Sequence, residues 1–223
     1  KPYMTFQYPA IGETFFKGVY KLPEGHYFTY RDGKMDIHRY YDEDFREGKQ
    51  KLGELVNSID QTVCDSVKAH QIADVEVGSF LSSGVDSSYV AAVARPQHTY
   101  SIGFGKGTYN ESQQAGELAE LLKLNNTAES LTDEEAFAAF PRIQWHLDEP
   151  DSNPSCVPLY FLSALAAKDV KVVLSGEGAD ELFAGYIDYG VHTKFRPIKV
   201  VTRWLTHLPA GARKAIARFC KGK

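Results

Sequence analysis

From Lys51 to Leu174 the chain alternates between stretches of helical spacing and short apolar runs, and this alternation restricts it to very few folds. Leu52, Leu55, Val56, Ile59, Val63 and Val67 recur every three or four residues, the pattern of an amphipathic helix. A strand is expected at Val75 to Leu81, a helix after Ser87 through Tyr89 to Ala94, and a second strand at His98 to Phe104. Further helices are expected from about Glu111 to Leu124, after Thr132, and over roughly Val157 to Lys168. Thr132 and Glu135 form a capping box for the middle one. Val170 to Leu174 is short and apolar enough to be a buried parallel strand. Strands alternating with helices imply βαβ units and an α/β fold, a doubly wound parallel sheet with flanking helices. Ligands in such sheets bind at the carboxyl ends of the strands, so the strand-to-helix loops are where function is expected.

The first forty residues read differently. His26 to Tyr30 and Met35 to Tyr41 are β-rich runs around Asp32-Gly33, a hairpin signal. The charged stretch Asp42 to Lys49 separates them from the first helix and marks a boundary near residues 42–50. With 223 residues, 43% of them apolar, the chain can bury one substantial core. It has no run of about twenty apolar residues to span a bilayer, and Lys1 to Ala10 lacks the pattern of a secretory signal.

Cys64, Cys156 and Cys220 are too far apart in sequence for a disulfide framework or a zinc site, which fits a reducing, cytoplasmic setting. The sequons at Asn110 and Asn125 are read as chance. The net charge of −4 conceals an asymmetry, since Lys194 to Lys223 carries nine Lys or Arg and no acid, while the preceding 193 residues hold 16 bases and 29 acids. The preferred reading of that basic segment is a solvated helical face, with Val200, Val201, Leu205, Leu208, Ile216 and Phe219 making apolar contacts, and not a nucleic-acid surface.

Leu81-Ser82-Ser83-Gly84-Val85-Asp86-Ser87-Ser88 joins the first strand of the alternating region to its helix. Small residues and hydroxyls crowd a helix N-terminus, where unpaired N–H groups and the helix dipole accept an anion. The loop lacks the Walker pattern, and Gly103-Phe104-Gly105 lacks the spacing of a dinucleotide fingerprint. A carboxylate within a phosphate cradle repels its ligand unless a cation lies between, so Asp86 points to Mg²⁺. A serine-rich helix cap would account for the same residues without any nucleotide.

Ser175-Gly176-Glu177-Gly178-Ala179-Asp180-Glu181 follows the apolar run ending at Leu174 and continues through Leu182-Phe183-Ala184-Gly185-Tyr186. Favourable acids at a helix start explain Asp180 and Glu181. They do not explain Glu177 set between two glycines, which suits a metal–nucleotide site with a nearby base.

The first loop resembles the Ser-Gly-Gly-x-Asp-Ser signature of the N-type ATP pyrophosphatases, with Ser83 in place of the second glycine. Together the two loops resemble the asparagine synthetase (glutamine-hydrolysing) family. Tyr100 to Phe104, Tyr109 to Ser112, His146 to Pro150 and Lys21 to His26 are similar to that family as well, so the resemblance runs through most of residues 15–190. Ala184 departs from it, replacing a glycine often found there. The resemblance implies an adenine nucleotide alpha hydrolase-like fold over residues 47–223, the synthetase domain, preceded by residues 1–46 as the closing part of a glutaminase domain and linker. It also implies truncation at both ends, with the glutaminase nucleophile before the chain and a catalytic lysine after it.

The activity implied is an ATP-dependent ligase that adenylates the aspartate side-chain carboxylate, releases pyrophosphate and transfers ammonia from glutamine. By the same resemblance Ser82, Ser83, Gly84, Ser87 and Ser88 hold pyrophosphate, with Asp86 and Asp180 on Mg²⁺. Leu81, Ile102, Ser175 and Gly176 contact the adenosine or AMP, and Glu177 guides or deprotonates the attacking ammonia. Asp148, Glu149 and Asp151 read equally as substrate contacts or as a solvated loop, and His146 as packed or capping. A β-lactam synthetase-like amidoligase, a non-catalytic ATP-binding fragment and an RNA-modifying pyrophosphatase stay as alternatives. The glutaminase domain of the same full-length chain is the implied partner, with no nucleic acid and no membrane, and a homodimer is left open.

Overall fold

The computed structural model describes residue 3 and residues 12–44, 48–104, 111–187 and 189. The chain divides into two compact units, Lys1–Ser175 and Gly176–Lys223. Gly105, the Tyr109-Asn110 pair, Cys220 and the basic segment Lys194 to Lys223 with its apolar residues lie outside the described residues.

In the first unit, β1 (His26–Arg31) and β2 (Lys34–Arg39) pair antiparallel, closing on the register Arg31↔Lys34. The two residues between them, Asp32 and Gly33, have φ of 52° and 77°. Two positive φ angles in succession make a type I′ turn, whose twist matches the strands it joins. The Tyr27 ring stacks on His38 across the pair, with centroids 5.2 Å apart.

The amphipathic pattern after Lys51 forms α1 (Leu52–His70). Then follow β3 (Val77–Phe80), α2 (Val85–Ala94), β4 (His98–Phe104) and α3 (Glu111–Leu122). The rest of the unit is β5 (Asn125–Leu131), α4 (Asp133–His146), α5 (Cys156–Ala166) and β6 (Val172–Leu174). The four strands from β3 onward form one parallel sheet in the order β5-β4-β3-β6. The expected doubly wound α/β architecture is therefore present. β5 is the element the sequence reading lacked, because Asn-Asn-Thr-Ala-Glu-Ser-Leu has neither an apolar run nor clean alternation. It is a strand through seven consecutive pairings with β4, His98↔Asn125 to Phe104↔Leu131.

Both faces of the sheet are covered, as parallel sheets require. On one, Leu81 packs with Ala91 of α2 and Ala115 and Ala119 of α3. On the other, Tyr100 of β4 packs with Leu165 and Ala166 of α5 and with Val170, joined by Phe80 and Ile102. Alternation along β4 sends Tyr100 and Ile102 to the second face and Thr99 and Ser101 to the first. The Tyr100 ring crosses so close to β3 that a β-carbon on Gly78 would stand 3.0 Å from it, so that position tolerates only glycine without repacking. Thr132 and Glu135 form the expected capping box at the start of α4.

The chain moves outward from β3 to β4 to β5, then returns to place β6 on the other side of β3. The order thus reverses between β3 and β6, the switch point at which a doubly wound sheet opens a crevice beyond its carboxyl ends. The chain leaves those two strands at Leu81 and Ser175.

In the second unit the described residues form α6 (Ala179–Phe183), a helix of five residues. Its N-cap Gly178 has φ of 90°, a conformation that costs glycine nothing and other residues a great deal. Among the described residues no helix is long and apolar enough to cross a membrane.

Candidate functional site

The loop leaving β3 is built from hydroxyls. Ser82 N–H donates to Ser87 Oγ at 3.1 Å, and the two side-chain oxygens lie 2.7 Å apart. Gly84 N–H donates to Ser82 Oγ at 3.1 Å, and Ser88 Oγ donates to the Gly84 carbonyl at 2.6 Å. Ser82, Ser87, Ser88 and Gly84 are thus brought together at the start of α2. Gly84 is the N-cap and supplies no side-chain hydrogen bond, which leaves the helix-end N–H groups open to an anion. Mutually bonded hydroxyls can rotate to donate to an arriving oxygen.

Gly84 has an ordinary extended φ of −70°, so its role is not a left-handed turn. A β-carbon there would lie 3.2 Å from Ser82 Oγ and crowd the cluster. Ser83 is exposed and is not among the positive-φ residues. A serine in place of the signature's second glycine is therefore unstrained. Asp86 sits half-buried in the first turn of α2.

Leu81 is 2% exposed and held on both sides of its backbone. Its N–H donates to the Tyr100 carbonyl at 2.8 Å, and its carbonyl accepts from Ser101 Oγ at 2.7 Å. Ile102 lies one residue beyond Ser101, half-buried against the α5 face. The sequence reading gave Ser101 no role. The available signal was a pair of hydroxyl residues, Thr99 and Ser101, at period two in the strand, alternating with Tyr100 and Ile102.

Two of the acids after α4, Glu149 and Asp151, have partners. Glu149 forms an ion pair with Lys21 at 2.6 Å. Asp151 accepts from Asn153 N–H at 2.9 Å through its side chain, while its backbone N–H donates to Gln144 Oε1 at 2.9 Å. His146 is exposed and stacks on Tyr160, with centroids 6.4 Å apart. Burial, then the charge of Asp151, pushes the Cys156 thiol up from its ordinary value.

In the second unit, Asp180 and Glu181 occupy the first turn of α6 and Glu177 is exposed just before it. Ala179 N–H donates to the Gly176 carbonyl at 3.4 Å, and Gly185 N–H to the Asp180 carbonyl at 3.0 Å. Tyr186 Oη donates to Glu181 Oε1 at 2.7 Å. That bond, then burial, then the charges of Glu181, Asp180 and Glu177 push the Tyr186 phenol up to about 12. The phenol therefore stays a donor in the field of all three carboxylates.

Carboxylate oxygens, such as that of Asp86 in the first unit or that of Asp180 in the second, are of the chemical type that suits a hard cation. Among the described residues no three His, Cys, Asp or Glu side chains gather to hold a metal. An ion bound through one or two carboxylates would take its other ligands from phosphate and water, which is the habit of Mg²⁺.

A doubly wound sheet with a hydroxyl-lined turn at its switch point defines an α/β protein whose candidate ligand site is that turn. The profile of the family described as asparagine synthase matches residues 58–218, and the chain belongs to that family. It is 36% identical over 219 residues to asparagine synthetase [glutamine-hydrolyzing] 1 of Bacillus subtilis (strain 168), covering 96% of this chain and 34% of that protein. Asparagine synthetase B [glutamine-hydrolyzing] of Escherichia coli (strain K12) is 29% identical over 192 residues, covering 76% of this chain and 34% of that one. The chain spans about a third of the length of these curated relatives. Among solved structures, NMN synthetase from Francisella tularensis aligns with a TM-score of 0.41 at 22% identity, covering 62% of this chain and 60% of that one.

Proposed function

We propose that the chain is the ATP-using part of an amide-forming ligase that adenylates the aspartate side-chain carboxylate and replaces AMP with ammonia to give asparagine. The observation that carries this reading is the cluster of Ser82, Gly84, Ser87 and Ser88 at the start of α2, in a chain of the asparagine synthase family. The relatives are named as glutamine-hydrolysing, which supports glutamine as the ammonia source. Residues 1–46 are read as the close of a glutaminase domain and residues 47–223 as the synthetase domain.

The aspartate carboxylate attacks the α-phosphorus of ATP, forming the acyl phosphate bond of β-aspartyl-AMP as the bond to the β-phosphate breaks. Negative charge builds on the departing pyrophosphate. Ser82, Ser83, Gly84, Ser87 and Ser88 surround it with hydroxyl and backbone donors fixed before the reaction. Asp86 and Asp180 are the carboxylates assigned to Mg²⁺, which when bound offsets phosphate charge. The backbone at Leu81 and Ile102 is assigned to the adenine, and Ser175 and Gly176 to the ribose or α-phosphate.

Ammonia then attacks the acyl carbon, and AMP leaves. The amine sheds a proton in that step, and Glu177 is assigned to take it.

Pyrophosphate release from ATP–Mg²⁺, measured in the full-length protein with aspartate against a panel of other carboxylic acids, tests the reading. Release that depends on aspartate supports it. Release that prefers a β-amino acid or another carboxylate moves the chain to a different amidoligase. ATP binding with no release under any carboxylate sinks the enzyme reading.

A further inference from the structure

Thr99, on β4, and Ser101, two residues on, are almost fully buried, and both hydroxyls face the side-chain amide of Asn126 on β5. The amide lies 3.1 Å from Thr99 Oγ1 and 3.0 Å from Ser101 Oγ. Each hydroxyl also reaches a main-chain carbonyl, Thr99 that of Asn125 at 3.0 Å and Ser101 that of Leu81 at 2.7 Å. With the amide oxygen facing them, two hydroxyl protons would have to serve four acceptor contacts. A hydroxyl has only one proton to give. Turning the amide by half a revolution places its amino group there, and its two N–H groups donate to the two hydroxyls. Each hydroxyl is then free to donate to its carbonyl, and every contact in the network has a proton of its own.

The chain of bonds ends on a single peptide group. The Leu81 carbonyl accepts from Ser101 on the sheet side, and the N–H of the same peptide, at Ser82, donates to Ser87 Oγ on the helix side. That peptide is the joint between β3 and the hydroxyl-lined loop. Fixing it from both ends sets which way the Leu81 carbonyl faces and where Ser82 stands. A carbonyl oxygen has two lone pairs, so with Ser101 on one the other is left for a ligand donor.

We propose that Ser101 and Asn126 are positioning residues that lock the Leu81–Ser82 peptide, so that the Leu81 carbonyl selects a purine carrying an amino group. The proposal rests on the ATP reading above. An amino group at the purine 6-position donates to a carbonyl, whereas the 6-oxo group of a hypoxanthine base meets it acceptor to acceptor. The network thus turns a buried pair of hydroxyls into discrimination between ATP and ITP, without either side chain touching nucleotide.

The experiment is steady-state pyrophosphate release by the full-length protein with ATP or ITP, for wild type, Ser101→Ala, Ser101→Thr and Asn126→Asp. Loss of one uncharged hydrogen bond predicts a KM for ATP raised about tenfold in Ser101→Ala, with kcat within about twofold. The preference for ATP over ITP should shrink with it, the KM for the carboxylate should not move, and Ser101→Thr should restore the wild-type values. Asn126→Asp keeps the shape and removes the amino group, so it should behave like Ser101→Ala.

Unchanged KM and unchanged base preference in Ser101→Ala, with wild type active on ATP, overturn the inference while leaving the reading intact. A proportional decline of every kinetic constant together with a lower melting temperature shows a role in folding alone and also overturns it. Wild-type activity equal to Asn126→Asp in all respects overturns the amide assignment. Absence of ATP-dependent release from wild type removes the reading and the inference with it.

Discussion

The carboxylate of Asp180 lies over the α-carbon of Gly185, in the space a side chain at that position would occupy. The same two residues are joined through the backbone, Gly185 N–H donating to the Asp180 carbonyl at 3.0 Å. The end of α6 is therefore folded back so that a glycine makes room for an acid one turn earlier. Gly185→Ala should displace the carboxylate. If Asp180 serves Mg²⁺ as proposed, that variant raises the Mg²⁺ concentration needed for half-maximal pyrophosphate release, and an unaltered requirement would count against the assignment.

Between those residues sits Ala184, with φ of 57° and ψ of 44°. This is the left-handed conformation in which helices commonly end, usually on glycine. An L-residue there carries about 1–2 kcal/mol of strain, part of which is regained because alanine restricts the unfolded chain. Ala184→Gly should therefore stabilise the protein by about 0.5–1 kcal/mol. The midpoint of urea unfolding reports it, and a lower midpoint would contradict the strain argument.

Glu177 is assigned the proton that ammonia sheds after attack. Glu177→Gln keeps the size and removes the base, so ATP binding and pyrophosphate release should persist while amide formation falls by about a hundredfold or more. The two half-reactions are followed separately, by pyrophosphate and by asparagine. Equal loss of both would place Glu177 in the adenylation step instead.

Among the described residues three phenols should titrate late: Tyr89, pushed up first by its hydrogen bond to Asp60, Tyr100 and Tyr186. Tyr100 is pushed up to about 12 by burial first, then by the charge of Asp169 and its hydrogen bond to that residue. Tyr186 is pushed up to about 12 by its bond to Glu181 first. A raised folded-state pKa means that the protonated phenol stabilises the folded protein. Its contribution is complete below the ordinary value of 10.0 and is lost as pH rises through about 12. Phenolate absorbance during alkaline titration should show these three groups late, with Tyr89→Phe, Tyr100→Phe and Tyr186→Phe each removing one.

Much of this protein is written locally. The helix α1, the Thr132–Glu135 capping box, the Asp32-Gly33 turn and the hydroxyl-rich loop at Ser82 to Ser88 depend on residues within one turn of each other. Short-range spacing is what determines such features, and for that reason they were readable. Both motifs that carry the family resemblance are of this kind, since each lies within a dozen consecutive residues.

The edge strand β5, the reversal of strand order between β3 and β6, and the lock on the Leu81–Ser82 peptide belong to tertiary structure alone. Asn125 to Leu131 is polar enough to be a loop by composition and is a strand because β4 offers it seven partners. Ser101 and Asn126 stand 25 residues apart and meet only once those strands pair. Local chemistry set what each segment prefers, whereas buried polar groups find their partners across the sheet, and no spacing along the chain encodes that meeting.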